Sequence, residues 1–388
     1  MNPNGTPLSS ISFNNVMETD MTRFPARRHL LALAVLASTL GTAHADDFLD
    51  MAKQKVATAT MSKEQWDGPT AGPKAAAAKT IVFVAADLKN GGILGVSKGV
   101  EEAGKTIGWT VRVIDGQGSV SARTAALNQA LALKPAGIVV GGFDTTEQKT
   151  AFANAAKAGV PLVGWHSGEK PGPNTAAGLF ANVTTTADDV SEAAALWAVA
   201  DSGGKAGVVI FTDSQYAIAV YKARAMEAVI KKCGGCTVLS FEDSPIAESS
   251  TRMPQLTTSL LQRFGDKWTH SLAINDLYFD FMGPSLQAAG KKGDGGPKAV
   301  SAGDGSEAAY QRIRGKRYQA GTVPEPLNMQ GWQIVDELNR AFAKAPWSGY
   351  IPKVHLVTAE NVGKDGGPKN LFDPDNGYRN QYKTIWGK

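Results

Sequence analysis

Side chains able to hydrogen-bond or stack recur in this chain at one kind of place, the loop that follows a short apolar run. Asp87 and Asn90 come after residues 80–86, Trp165 and His166 close the run that starts at Val160, and Tyr216 follows 205–211. Asn275 follows 269–274, Asp304 follows 298–302, and Glu325 stands just past Thr322. Carboxylates accept hydrogen bonds, asparagine amides both donate and accept, and imidazole changes role with its proton. An indole ring adds a flat apolar face. Such a set suits the holding of a small polar molecule. Covalent chemistry finds less support, because no nucleophile elbow, dinucleotide fingerprint or P-loop is expected. The five histidines include no H-x-x-x-H pair. No catalytic residue, cofactor or metal is therefore expected, and an exported α/β enzyme is a minor alternative.

The elements that must position these side chains follow one repeating unit. Residues 80–86 form an apolar strand, 87–92 a polar loop, and Leu94 to about Gly108 an amphipathic helix. Further strands are expected at 109–114, 135–140, 160–165 and 178–183; after a long helix the pattern restarts at 205–211, 237–241, 269–274 and 298–302. Strands alternating with helices imply parallel sheets with right-handed crossovers, and ligands lie beyond the carboxyl ends of such strands. The fold class expected is α/β, two similar doubly wound parallel-sheet lobes with a cleft between them. Asp276 is expected to cap the helix after it, and Trp332 to be core.

Composition narrows the class further. The chain has 388 residues, 43% hydrophobic and 20% charged, with a formal charge of +4. That charge is small for the length and does not suggest a nucleic-acid surface. Near the amino terminus Arg27-Arg28-His29 precede the apolar run 30–37, and Ala43-His44-Ala45 offers an A-x-A cleavage pattern. The run is far shorter than the roughly 20 residues of a membrane span. A signal peptide cleaved near Ala45 is expected, with a periplasmic mature protein. The general export route is preferred to the twin-arginine one, with Met1, Met17 or Met21 as the start. Cys233-Gly-Gly-Cys236 follows a helix over 217–232, and in an oxidising compartment the pair is expected to form a disulfide.

In this order and register, Asp87-Leu-Lys-Asn90, Val113-Ile-Asp-Gly-Gln117, Gly159-Val-Pro-Leu-Val163, Asn275-Asp276, Gly303-Asp-Gly305 and Val357-Thr-Ala-Glu-Asn-Val362 are similar to a known set. The chain resembles, over about residues 79–362, the type I periplasmic solute-binding proteins of ABC importers, in their ribose-binding-like branch. The resemblance implies two lobes joined by a three-segment hinge, closure around a ligand, and delivery to a membrane permease. It implies the division 1–45 as upstream segment plus export signal, 46–78 as extension, 79–183 with about 306–324 as lobe one, and 184–305 with about 325–388 as lobe two. It implies a monomer with a small-molecule ligand, an ABC permease as partner, no nucleic acid, and a chemoreceptor or sensor kinase as an alternative partner.

Carried over residue by residue, the family's polar contacts fall on Asn90, Asn275 and Asp304, and its hinge-adjacent glutamine on Glu325. Asp87 stands either at the ligand or in a turn. Three departures affect the ligand. The Asp-Arg pair of sugar-binding relatives is replaced by Trp165-His166-Ser167, with Trp165 free to stack on a ring and His166 to hydrogen-bond. Aromatic residues of the first loop are replaced by Gly91-Gly92, which should leave room. The arginine early in lobe two is absent, and Tyr216 is the nearest residue to fill its space. Without a positive partner, an anionic ligand is not expected; a sugar, polyol or similar neutral compound is, or a neutral-to-cationic ring compound.

Overall fold

The chain is seen in a computed structural model that describes residues 47–62 and 65–388. The expected export signal and its cleavage near Ala45 lie outside the described residues. A helix over residues 47–59 (α1) comes first. The first β-α series is β1 (Thr80–Ala85), α2 (Gly91–Ile107), β2 (Thr110–Asp115), α3 (Val120–Ala132), β3 (Gly137–Gly141), α4 (Lys149–Lys157), β4 (Leu162–Trp165), β5 (Gly172–Asn174) and β6 (Leu179–Val183). The second is α5 (Ala187–Asp201), β7 (Gly207–Thr212), α6 (Ala217–Lys232), β8 (Thr237–Asp243), α7 (Ser249–Phe264), β9 (His270–Ala273), α8 (Leu277–Asp280), α9 (Gly283–Ala288), β10 (Lys298–Ser301), α10 (Glu307–Arg314) and β11 (Gln319–Thr322). α11 (Leu327–Phe342), β12 (Val357–Thr358), α12 (Val362–Asp365) and α13 (Tyr378–Trp386) follow.

The unit works as its residues dictate. β1 reads TIVFVA, and every side chain after Thr80 is fully buried, as in a parallel strand covered on both faces. Asn90 Oδ1 accepts from the backbone of Gly92 and Ile93 to start α2, and Gly108, at φ 85°, ends it. Each lobe holds a six-stranded sheet, ordered β2-β1-β3-β4-β6-β5 and β12-β11-β10-β9-β7-β8. Among the described residues, only the edge strands β5 and β12 pair antiparallel. Leaving those edges aside, the two halves share one order, β2-β1-β3-β4-β6 and β8-β7-β9-β10-β11.

The carboxyl-terminal boundaries differ from expectation. β11 pairs with β10, so 306–324 belongs to lobe two and not to lobe one. α11 and α13 pack on lobe one, where Trp332 stacks on Trp386 at 5.4 Å and joins the first core. The physical reason is the crossing at 322–327, which returns the chain to lobe one one helix later than expected.

The three expected hinge segments are present, with further connections beside them. Crossings at 183–187, 322–327 and 342–357 are joined by the return from β12 to α13. A further one comes from the amino-terminal extension. Ala52 of α1 is buried in the second core, Lys55 pairs with Glu192, and Leu356 N donates to Ala59 O. Residues past the turn grip lobe one instead: Trp66 packs on Tyr350 and Tyr382, Ala75 N donates to Trp386 O, and Arg340 donates to Ala71 O. Removing residues 47–62 should strip this strap and the buried face of α1. Phe48, Leu49, Met51 and Val56 pack half-buried on the same core, each at a fraction of the roughly 1.5–3 kcal/mol of a fully buried large apolar side chain, so a loss of about 2–4 kcal/mol is expected as a lower calorimetric Tm. An unchanged Tm would show that the strap is not part of the folded unit.

α2 and α11 approach at glycines. A Cβ on Gly331 would lie 2.6 Å from Gly99 Cα and 2.5 Å from Val100 N. Gly331→Ala should therefore force the helices apart and cost about 1–3 kcal/mol in urea unfolding, although alanine is the better helix former. The same packing corrects one sequence expectation. Inside α2, Gly95–Gly99 spells G-x-S-x-G and Gly99–Thr106 spells G-x-x-x-x-G-K-T, patterns not expected in this chain. Both are wholly helical, whereas an elbow or P-loop needs a turn after a strand. Ser97 donates to Leu94 O and Thr106 to Glu102 O, so neither hydroxyl is presented for chemistry.

Cys233 and Cys236 form the expected disulfide, with Cα atoms 5.3 Å apart, at the end of α6. Among the described residues no helix is long and apolar enough to cross a membrane.

Candidate functional site

In open α/β sheets the crevice lies where the strand order reverses. In lobe one that point is between β1 and β3, and in lobe two between β7 and β9. The loops leaving these strands carry Asp87 and Asn90, Gly142, Tyr216, and Asn275. They meet in one cavity of about 80 Å³ between the lobes, which Trp165, His166 and Asp304 also border. This is smaller than the roughly 300–1,000 Å³ of common ligand pockets, because the lobes are drawn together. Asp144 of lobe one accepts from Ala217 N of lobe two at 2.8 Å, and Arg123 of lobe one donates to the Tyr216 hydroxyl.

One polar network runs from the hinge into this cavity. Trp165 Nε1 donates to Gln330 Oε1 at 2.7 Å, and Gln330 donates in turn to Glu325. Glu325 Oε1 accepts from Thr185 Oγ1 at 2.5 Å and lies 3.0 Å from His166 Nε2. The opposite ring nitrogen, Nδ1, is 3.6 Å from Asp304 Oδ1, and Asp304 Oδ2 accepts from Asn275 Nδ2 at 2.6 Å. An imidazolium donates from both nitrogens and matches two carboxylates placed this way. His166 holds φ 51° and lies flat on Trp165, centroids 3.9 Å apart and 10° between planes.

Charge is unevenly shared. Burial pushes the Asp304 carboxyl up from its ordinary range, opposed by His166 and Lys222. Burial acts the same way on Glu325, but the His166 charge and hydrogen bond, then Lys222 and Thr185, outweigh it and hold this carboxyl down at about 2. Burial raises the Tyr216 phenol to about 12, so it stays a neutral hydroxyl under the Arg123 guanidinium.

The expected residues are placed as follows. Asp87, Asn90, Trp165, His166, Tyr216, Asn275 and Asp304 all border the cavity. Glu325 does not; it stands behind His166 with its oxygens spent on the hinge network. The ring face that Trp165 was expected to offer a ligand carries His166 instead. Gly91 and Gly92 do not leave room: Ser306 and Asp304 of lobe two fill the space, and a Cβ on Gly91 would lie 2.6 Å from Ser306 Cβ. Asp276 takes the N-cap position of α8, as expected, but its side chain makes no cap bond. Its carboxylate accepts from Gln319 at 2.6 Å and Gly305 N at 2.8 Å, while Asn275 Oδ1 receives Leu277 N. Asp87 Oδ1 accepts from Lys89 N in a turn, and Ser306, not Asp304, caps α10.

Positive partners are present after all: Lys222 on α6 is buried at the cavity wall, and Arg123 on α3 reaches over from lobe one to the Tyr216 hydroxyl. Both sit on the apolar stripe of their helix, beside Ala219, Ala223 and Met226 in α6 and Ala126, Leu127 and Ala130 in α3. A charge on such a stripe is costly to bury unless it is used, and that was the signal available in the sequence.

Residues 81–345 match the family described as periplasmic binding protein domain, and the chain belongs to that family. Solved structures with the same fold include an ABC transporter solute-binding protein from Agrobacterium vitis with bound allitol. It is 19% identical, the match covering 74% of this chain and 97% of that one at a TM-score of 0.62. A second from Agrobacterium vitis, bound with α-D-tagatopyranose, is 15% identical over 76% and 99%, TM-score 0.66. A twin-arginine translocation pathway signal protein from Burkholderia phytofirmans is 18% identical over 78% and 96%, TM-score 0.66. These likenesses speak for the fold, that of the type I periplasmic binding proteins. Among curated proteins none matches the chain significantly.

Proposed function

We propose that this protein is an extracytoplasmic solute receptor of an ABC importer, which clamps a sugar, polyol or similar neutral compound between its lobes and delivers it to a membrane permease. The observation that carries this reading is the meeting of both lobes' switch-point loops at a single buried cavity bordered by uncommitted donors and acceptors. Asn90 and His166 would serve from lobe one, and Tyr216, Asn275 and Asp304 from lobe two, with Asp87 at the rim. Trp165 and Glu325 act through His166 by fixing its ring. Relatives of the same fold holding allitol and tagatopyranose support a polyhydroxylated ligand. Binding, not turnover, is expected: Asn275, Asp304 and His166 hold one another in place, while Asn90 and Lys222 border the cavity with donors left for a ligand. A ligand that touches both lobes favours the closed form by its differential affinity. The family and the basic-apolar amino terminus support a mature periplasmic protein.

The test is a thermal-shift screen of the mature chain over sugars, polyols and neutral ring compounds. A ligand at a hundred times its Kd should add about 2.7 kcal/mol of stability. Turnover of any compound without such stabilisation would overturn the receptor reading.

A further inference from the structure

Lys222 is a buried cation that, among the described residues, makes no hydrogen bond to the hinge network. It is 3% exposed, belongs to lobe two, and borders the cavity. Its described hydrogen bond runs from Nζ to Ala302 O at 3.1 Å. An ammonium has three donors, so two have no described partner at the cavity that Lys222 borders. Lys222 influences Asp304 and Glu325, yet among the described residues it forms no ion pair with either within 4.0 Å. Asp304, 4% exposed, spends Oδ2 on Asn275 and faces His166 at 3.6 Å with Oδ1, which leaves lone pairs toward the cavity. Asn90 adds a further unused donor, since its Oδ1 is committed to α2 while its amide nitrogen has no described partner.

A donor-only cation and an acceptor-only carboxylate thus border one cavity without touching. Each pays for burial unless something completes its bonding. A hydroxyl group does so for both, because it accepts from an ammonium and donates to a carboxylate at once. An ether oxygen can only accept. A carboxylate would satisfy Lys222 but meet Asp304 and Glu325 as like charges, and an ammonium would satisfy the carboxylates but meet Lys222 and His166. We propose that Lys222 and Asp304 form a hydroxyl subsite, and that Lys222 determines specificity by selecting neutral polyols over the corresponding sugar acids and amines. This rests on the receptor reading and names the ligand chemistry of the same cleft.

The experiment is calorimetric titration of the mature chain with three matched series. One contains allitol, ribitol and D-tagatose, one the corresponding sugar acids (allonic, ribonic and tagaturonic acid), and one their amino-deoxy analogues. The wild type should bind a neutral member at least about tenfold more tightly than its acid or amine, the order of one buried unpaired group. Lys222→Met should weaken the neutral compound by about tenfold or more and shift preference toward the amine, a change of charge preference that a packing role would not produce. Lys222→Arg should keep the preference for neutral over amine. Acid bound more tightly than neutral compound by the wild type overturns the proposal without any variant, as does unchanged preference in Lys222→Met; in either case the receptor reading stands. If the folded wild type binds no member of any series while the wider thermal-shift screen finds a ligand, this inference fails and the receptor reading stands.

Discussion

Replacing Glu325 by Ala should lower stability by about 3–5 kcal/mol, the usual cost of removing one partner from a buried ion pair, and drop Tm by about 5–10 °C. The carboxylate is fully buried and serves three elements at once. It accepts from Thr185 in the first crossing, from Gln330 in α11, and faces His166 beyond β4. Its loss leaves His166 and Gln330 short of an acceptor, and Gln330 in turn anchors Trp165. The pH dependence has a definite sign. The folded carboxyl is held at about 2 against an ordinary 4.5, so its contribution is fully present above about pH 5 and is lost as pH falls toward 2. At about 1.4 kcal/mol for each pH unit, the drop from 4.5 to about 2 is worth about 3 kcal/mol, of which about 2 should be gone by pH 3. Asp304 works the other way: its carboxyl is raised, so acidification relieves it. The Glu325 part is therefore read as a difference, from calorimetry of wild type and Glu325→Gln at pH 6 and pH 3. The gap between the two proteins should shrink at the lower pH. A gap that stays constant, or an alanine variant melting with the wild type, would mean that the hinge does not depend on this carboxylate.

What was legible in the sequence divides along a physical line. Strand and helix order follow from local periodicity, and Thr80–Ala85 or Gly207–Thr212 can hardly be other than buried parallel strands. The placement of Asn90, Tyr216 and Asn275 also follows, because a loop after a strand at the switch point has one place to go. Partner choice does not follow. His166 and Trp165 are adjacent in sequence, yet their stacking depends on φ 51° at His166, and the acceptor behind His166 comes from 159 residues away. Gly91-Gly92 looked like empty space because a missing side chain shows nothing of what moves in. Lys222 was passed over because a lysine near a helix start reads as solvated surface until the apolar residues one turn to either side are counted. The lobe exchange at 322–327 was misjudged by one element, since nothing local distinguishes the helix that stays in lobe two from the one that returns.

Gly92→Ala should abolish closure while leaving the open protein slightly more stable. An added Cβ would fall well inside van der Waals contact with Asp304 Cβ and Cγ, which belong to the other lobe. Neither side can yield easily. Asp304 is tied to Asn275 and faces His166, and Gly92 N is bonded to the Asn90 cap that starts α2. The only cheap relief is to hold the lobes apart. The three atoms nearest the methyl all belong to Asp304 of lobe two, and alanine is the better helix former by up to about 0.5–1 kcal/mol. The two effects therefore separate: a Tm equal to or above wild type without ligand, and an affinity for any cleft ligand lower by about a hundredfold, or about 2.7 kcal/mol. Small-angle scattering should show the variant staying extended at ligand concentrations that compact the wild type. The contrast with Glu325→Ala is informative, since that change should cost stability with and without ligand, whereas a glycine used for lobe-to-lobe approach should matter only when the lobes meet. Wild-type affinity in Gly92→Ala would mean that the working closed form does not bring α2 against Asp304, and that the ligand is held at a wider angle than the one seen here.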